Sequence, residues 1–247
     1  MAITHTALTS GADATNQTSV ATASISPPGN ELIEVAFEVG FFNQQADPAP
    51  VPTVTGNGIT YTKVNQYSNW PIGGDFYNCI YLYRGMAASP STGAITIDFG
   101  STTMDSIAWS VSSKAGVDTG GTNGSAAVVQ SAVNRNDGGS TLTITLAAFG
   151  SANNATAGYF GAGDVTGSPR TFTEGTGFTE IHDTGAQYAA IGTQWRNDND
   201  TTVNTTASAA SSGLAGIAIE IKAAAAANVT QTKYRFRNDD GDLTAPA

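Results

Sequence analysis

Apolar and polar residues alternate with a period of two along most of this chain. In residues 31–39, ELIEVAFEV, the side chains of Ile33, Val35, Phe37 and Val39 fall on one side of an extended segment, and Glu34 and Glu38 fall on the other. That is the signature of a half-buried β-strand. The same alternation predicts strands over 2–8, 16–25, 31–39, 58–66, 76–84, 94–99, 105–112, 126–133, 141–147, 156–161, 178–182, 187–195, 214–222 and 229–237. Almost no stretch shows the 3.6-residue period of an amphipathic helix. Clusters of Gly, Asn, Asp and Pro, among them SPPGN, ADPAPVP, PIGGD and NRNDGG, separate the strands at short intervals as turns.

Many short strands with regular turns imply an all-β fold, an antiparallel two-sheet sandwich of jelly-roll or concanavalin-like type with a C-terminal extension. No interior break divides the body, so residues 1–222 are expected to form one β-sandwich domain. Residues 197–213 are almost wholly Asn, Asp, Thr, Ser, Ala and Gly and are expected to be a long surface loop. Five alanines follow the closing strand, too few to hold a helix alone, so 223–227 reads as a connector. Residues 228–247 are an interaction arm or an extra strand. Their alternation puts Lys233, Arg235 and Arg237 on one side and Tyr234 and Phe236 on the other. Such a segment can add to the edge of a neighbouring sheet, so these five are the candidate partner-binding residues. The strand at 2–8 is a second candidate contact arm.

Composition narrows the function. Charged residues are 12% of the 247, about half the usual share, so the surface is covered by Thr, Ser, Asn, Gln, Gly and Ala. A net charge of −10 repels nucleic-acid backbones and anionic membranes, so neither is an expected partner. Cys79 is the only cysteine and reads as a small strand residue. The N-terminus lacks a basic start and an apolar core, and no apolar run has membrane-spanning length, so no export signal is expected in the chain as given.

The chemistry-bearing motifs are sparse. Glu34-Val35-Ala36-Phe37-Glu38 resembles the Glu-x-Asp-x-Glu strand of laminarinase-like retaining glycosidases, but Ala36 replaces the central acid. Residues four apart on a strand also have backbones roughly 13 Å apart, whereas a retaining pair needs carboxyl groups about 5 Å apart. Two solvated strand carboxylates are therefore expected. His5 and His182 are isolated, without the partners that a zinc site or a Ser-His-Asp triad requires. The tripeptide Arg-Asn-Asp begins at Arg135, Arg196 and Arg237, with unmatched flanks, so recurring turn chemistry accounts for it rather than duplication. These Asx-rich turns could ligate calcium irregularly, although Phe236 and the missing distal glutamate exclude an EF-hand loop; no cofactor is expected otherwise. Tyr67, Trp70 and Trp195 are candidate sugar-stacking residues.

Six longer phrases follow one another along the chain, namely GVDTGGTNGSAAVVQSAVN, TLTITLAAFGSANNATAGYFGAG, GTGFTEI, TQWRNDNDTTV, GLAGIAIEIKAA and the terminal YRFRNDDGD. In that order, over roughly residues 30 to 240, they resemble a β-sandwich module of tailed-bacteriophage virion structural proteins, seen also in bacterial surface proteins. The resemblance implies a non-enzymatic structural protein of the particle, in capsid decoration or in a tail or fibre. Its partners would be other copies of itself and other virion proteins, and its location the virion, assembled in the host cytoplasm. It carries over no catalytic residue. The alternative is an extracellular or cell-surface module that binds a host-surface glycan or adheres, and the third reading is a divergent glycosidase-like sandwich.

Overall fold

A computed structural model describes residues 2–42, 49–69, 76–163, 166–211 and 213–225. The first half of the chain forms β1 (Thr4–Asp13), β2 (Ser19–Ala21), β3 (Leu32–Phe42), β4 (Thr53–Gly56), β5 (Thr62–Asn69), β6 (Phe76–Gly85), β7 (Ile95–Asp98) and β8 (Ser106–Ala115). The second forms β9 (Val128–Asn136), β10 (Thr141–Thr145), β11 (Ala155–Gly163), β12 (Phe172–Glu174), β13 (Thr179–Ala186), β14 (Ala189–Arg196), β15 (Thr202–Ala207) and β16 (Gly213–Ile221). The all-β antiparallel sandwich expected from the alternation is present, and among the described residues it is built from four sheets.

Two five-stranded sheets, ordered β1-β8-β3-β6-β5 and β9-β16-β11-β14-β13, face each other. Each carries a three-stranded sheet on its outer side, β2-β7-β4 on the first and β10-β15-β12 on the second. Raising every label of the first half by eight gives the strand order of the second. In each half the first strand pairs with the last, the second with the seventh and the third with the sixth, which is the winding of a jelly roll. The molecule is a duplicated jelly roll, and the Arg-Asn-Asp tripeptides do not mark the duplication. The two last strands even finish together, through a bridge between Val117 and Ala223.

Three strands escaped the sequence pattern. β15 runs through the stretch expected to be a loop: its inward side chains are Val203, Thr205 and Ala207, too small and too polar to stand out from their Thr and Asn neighbours. β4 and β12 are three or four residues long with one large apolar side chain each, Val54 and Phe172. They hold equivalent places in the two outer sheets. The predicted strand 229–237 lies outside the described residues.

The burial of β3 decides the architecture. Ile33, Val35, Phe37, Val39 and Phe41 enter the core under the first outer sheet, where Phe37 stacks on Tyr81 and Tyr83 at 5.0 and 5.8 Å. Cys79 sits in the same layer, and burial pushes its thiol up to about 12. The Tyr81 and Tyr83 hydroxyls donate to the carbonyls of Pro50 and Pro52 at 2.7 Å, so the proline run anchors the outer layer. The other face of β3, with Leu32, Glu34, Ala36 and Glu38, meets the second half. Ala157, Tyr159, Ile191, Ile217 and Ile219 form the opposite wall of that central layer.

Candidate functional site

Glu34 and Glu38 lie inside the central layer, 1% and 0% exposed, rather than in solvent as expected. The alternation along β3 was real, but its polar face is covered by a second sheet instead of water. Around these carboxylates runs a polar seam. Lys114 on β8, itself 0% exposed, donates to Glu34 Oε2 at 2.5 Å and to the Ser112 hydroxyl at 3.1 Å, and Ser112 donates to the same Oε2 at 3.2 Å. Tyr159 faces Glu34 from the opposite sheet. Burial first, and the carboxylate second, push its phenol far above the ordinary range. Neither Glu34 Oε1 nor the Tyr159 hydroxyl has a well-formed hydrogen bond.

At the other end of β3, Asn78 donates to Glu38 Oε1 and to the Gly213 carbonyl, the latter at 3.0 Å. Burial raises the Glu38 pKa well above its ordinary 4.5, and Asn78 offsets this only in part. Unfolded, the group loses its proton near 4.5; folded, it keeps it to higher pH, so stability falls as pH rises through that window. Glu38→Gln should leave the melting temperature unchanged near pH 4 and raise it at about pH 8, each unit of displaced pKa being worth about 1.4 kcal/mol. Equal melting differences at both pH values would show that Glu38 is not held neutral.

The histidines gain partners that sequence adjacency did not suggest. His182 Nδ1 lies 2.8 Å from the Ser110 hydroxyl of the facing sheet, which is also 3.0 Å from Thr193 Oγ1. Desolvation and the Lys114 charge lower the His182 pKa, and the same causes take His5 to about 3. Both imidazoles are therefore neutral hydrogen-bonding groups at physiological pH. Ser110 is buried, and Asp183 points to the other face of β13, where it accepts from the Phe172 backbone at 2.9 Å. No acid stands behind the imidazole among the described residues, so no triad is formed.

Two of the three candidate sugar-stacking residues belong to the seam rather than to a surface platform. Tyr67 packs half-buried at the β5 end of the central layer, and Trp195 packs against the same layer from β14, 5.5 Å from His5. Trp70 lies outside the described residues, as do Lys233, Tyr234, Arg235, Phe236 and Arg237. The strand expected at 2–8 is bonded to β8 over 4–13, so it supplies a sheet edge and not a loose arm.

The two Arg-Asn-Asp turns within the described residues, at Arg135 and Arg196, are closed by their own arginines. Arg196 holds Asp198 at 2.6 Å and Asp200 at 2.7 Å, and Arg135 lies 3.3 Å from Asp137. Among the described residues no group of three or more His, Cys, Asp or Glu side chains could hold a metal ion. The exterior offers hydroxyls instead. On the second outer sheet Thr141 pairs with Thr206 and Thr143 with Asn204, and these side chains with Glu174 line an open polar cleft of about 200 Å³. Where the alanine run leaves the body, Val129, Asn153, Lys222 and Ala223–Ala225 border a groove of about 390 Å³. Compared with known proteins, the chain matches no family model, no curated protein and no solved structure.

Proposed function

We propose that this chain is a non-enzymatic structural protein of a bacteriophage particle, a capsid decoration or a tail or fibre component, that works through contacts with further copies of itself and with other virion proteins. The observation that carries the reading is the division of the molecule. Among the described residues the buried glutamates, lysine and Ser110 are shut inside the seam, while the outer sheets present short, hydroxyl-rich faces with few charges, Glu174 and Asp98 among them. The glycosidase reading loses its support, because a saccharide cannot reach Glu34 or Glu38 without parting the two halves.

The surface also suits controlled association. Gln130, Asn134 and Asn136 of β9 bond to the backbone of β10 and its flank at Ala147, Thr143 and Thr141, at 2.7 to 3.0 Å. These amides occupy one edge that would otherwise recruit strands at random. Assembly would then fall to chosen segments, of which 228–247 is our candidate, docking on an acidic neighbouring copy. Deleting residues 228–247 should leave the melting temperature unchanged and abolish association measured by light scattering. Global unfolding, or association that survives the deletion, would reject the arm. The glycan-binding reading keeps one observation in its favour, the polar cleft lined by Thr141, Thr143, Glu174 and Asn204. Glycan binding that Glu174→Ala and Asn204→Ala both remove would favour it.

A further inference from the structure

The two halves can be compared residue by residue. The edge strands β5 and β13 each carry one extra residue, Val64 opposite the step between Leu82 and Tyr83, and Ile181 opposite the step between Thr193 and Gln194. A bulge at the same place in both halves fixes their alignment. Through the strand registers, Glu34 is then equivalent to Ala157, Ser112 to Ile219, Lys114 to Ile221, Asn78 to Ala189 and Glu38 to Gly161. The second half thus builds the same sheet with small or apolar side chains where the first half buries an ion pair. The jelly roll does not need Lys114 and Glu34 in order to form, and desolvating two charges is costly. The pair calls for a reason of its own.

We propose that Lys114 and Glu34 condense into an intramolecular isopeptide bond joining β8 to β3. The two residues lie on the same face of adjacent strands, diagonally across the Glu34–Ser112 pair, and are 80 positions apart in sequence. Nζ and Oε2 are 2.5 Å apart in a site closed to water. Proton transfer from ammonium to carboxylate across this contact gives the amine and the acid that react. The amine attacks Cδ, the Nζ–Cδ bond forms and the Cδ–Oε2 bond breaks. Two of the three ammonium protons leave with Oε2 as one water, and the third stays on the amide. No oxidant or other reactant is consumed.

The neighbours suit this step. Ser112 accepts from Nζ and donates to Oε2, so its hydroxyl can relay a proton from the attacking nitrogen to the departing oxygen. Tyr159 faces the carboxylate from the other half, with its hydroxyl and Glu34 Oε1 both lacking a settled partner. It is placed to donate to Oε1 as negative charge gathers there. Holding amine and carboxyl in contact corresponds to effective molarities of roughly 10⁵–10⁸ M, which favours condensation over hydrolysis. The product is a neutral amide, and the buried charges disappear.

The test is the intact mass of the full-length purified protein, followed by trypsin digestion. The expected mass is that of the sequence less one water, with cleavage after Lys114 lost and one branched peptide containing both Glu34 and Lys114. Glu34→Leu/Lys114→Met, which replaces the pair by apolar side chains, should show its full sequence mass. A wild-type mass with no water missing would overturn the proposal. So would a missing water that maps elsewhere, such as a cyclised Asp137 before Gly138, or that persists in the double variant.

Discussion

Lys114→Met should cost about 3–5 kcal/mol relative to the double variant Glu34→Leu/Lys114→Met, measured by urea denaturation at neutral pH. The single change leaves the Glu34 carboxylate 1% exposed with no cation beside it, only the neutral hydroxyls of Ser112 and the facing Tyr159. The double change leaves two apolar side chains among Ile217, Ile219 and Ile221, close to the solution that the second half already uses. Because both variants lack the lysine, the comparison holds whether or not the wild-type pair is covalently joined. Equal stabilities would mean that water reaches Glu34, and the sealed seam would have to be abandoned.

Gly161→Val should destabilise the fold by about 3 kcal/mol, the upper part of the range for overpacking. Strand propensity alone argues for the opposite sign, since valine suits a strand better than glycine does. The reason lies in the facing sheet: a Cβ on Gly161 would overlap the Oε2 and Cδ atoms of Glu38. Gly161 and Glu38 are equivalent positions of the two halves, so the repeats cross here, and one can carry a glutamate only if the other carries nothing. Glu38→Ala in the Gly161→Val background should restore most of the loss. Additive effects in the double-mutant cycle would show that the two residues do not touch.

The same residues show how far the sequence could be read. Alternation located β3 because Ile33, Val35, Phe37 and Val39 repeat every second residue, and it located most other strands for the same reason. It could not tell that the polar face of β3 is covered, because a glutamate facing water and one facing Gly161 or Lys114 look alike in one strand. Clues existed, though weak ones. Lys114 lies near the end of a strand whose other side chains on that face are Ser106, Ala108, Ser110 and Ser112, and a lysine on such a face needs a partner. The glycines of β11 mark a close approach by something large. The duplication stayed hidden because its halves fill equivalent places with unlike side chains, Glu34 against Ala157 and Lys114 against Ile221. Only strand order and the paired bulges preserve it. The outer strands β4, β12 and β15 were lost because so short a sheet needs only one or two large side chains per strand.

Partner choice depends on the outside of the molecule, and there the sequence spoke through composition more than through position. Asn204 and Thr206 fall in the stretch expected to be a loop, yet together with Thr141 and Thr143 of the expected strand they form an ordered sheet face. In the proposed role such faces and the segment 228–247 make the contacts, while the interior only holds shape. Light scattering on the full-length protein across a wide concentration range tests this most directly. Reversible association that grows with concentration is the expected result. A protein that stays monomeric throughout and adheres to no particle surface would contradict it.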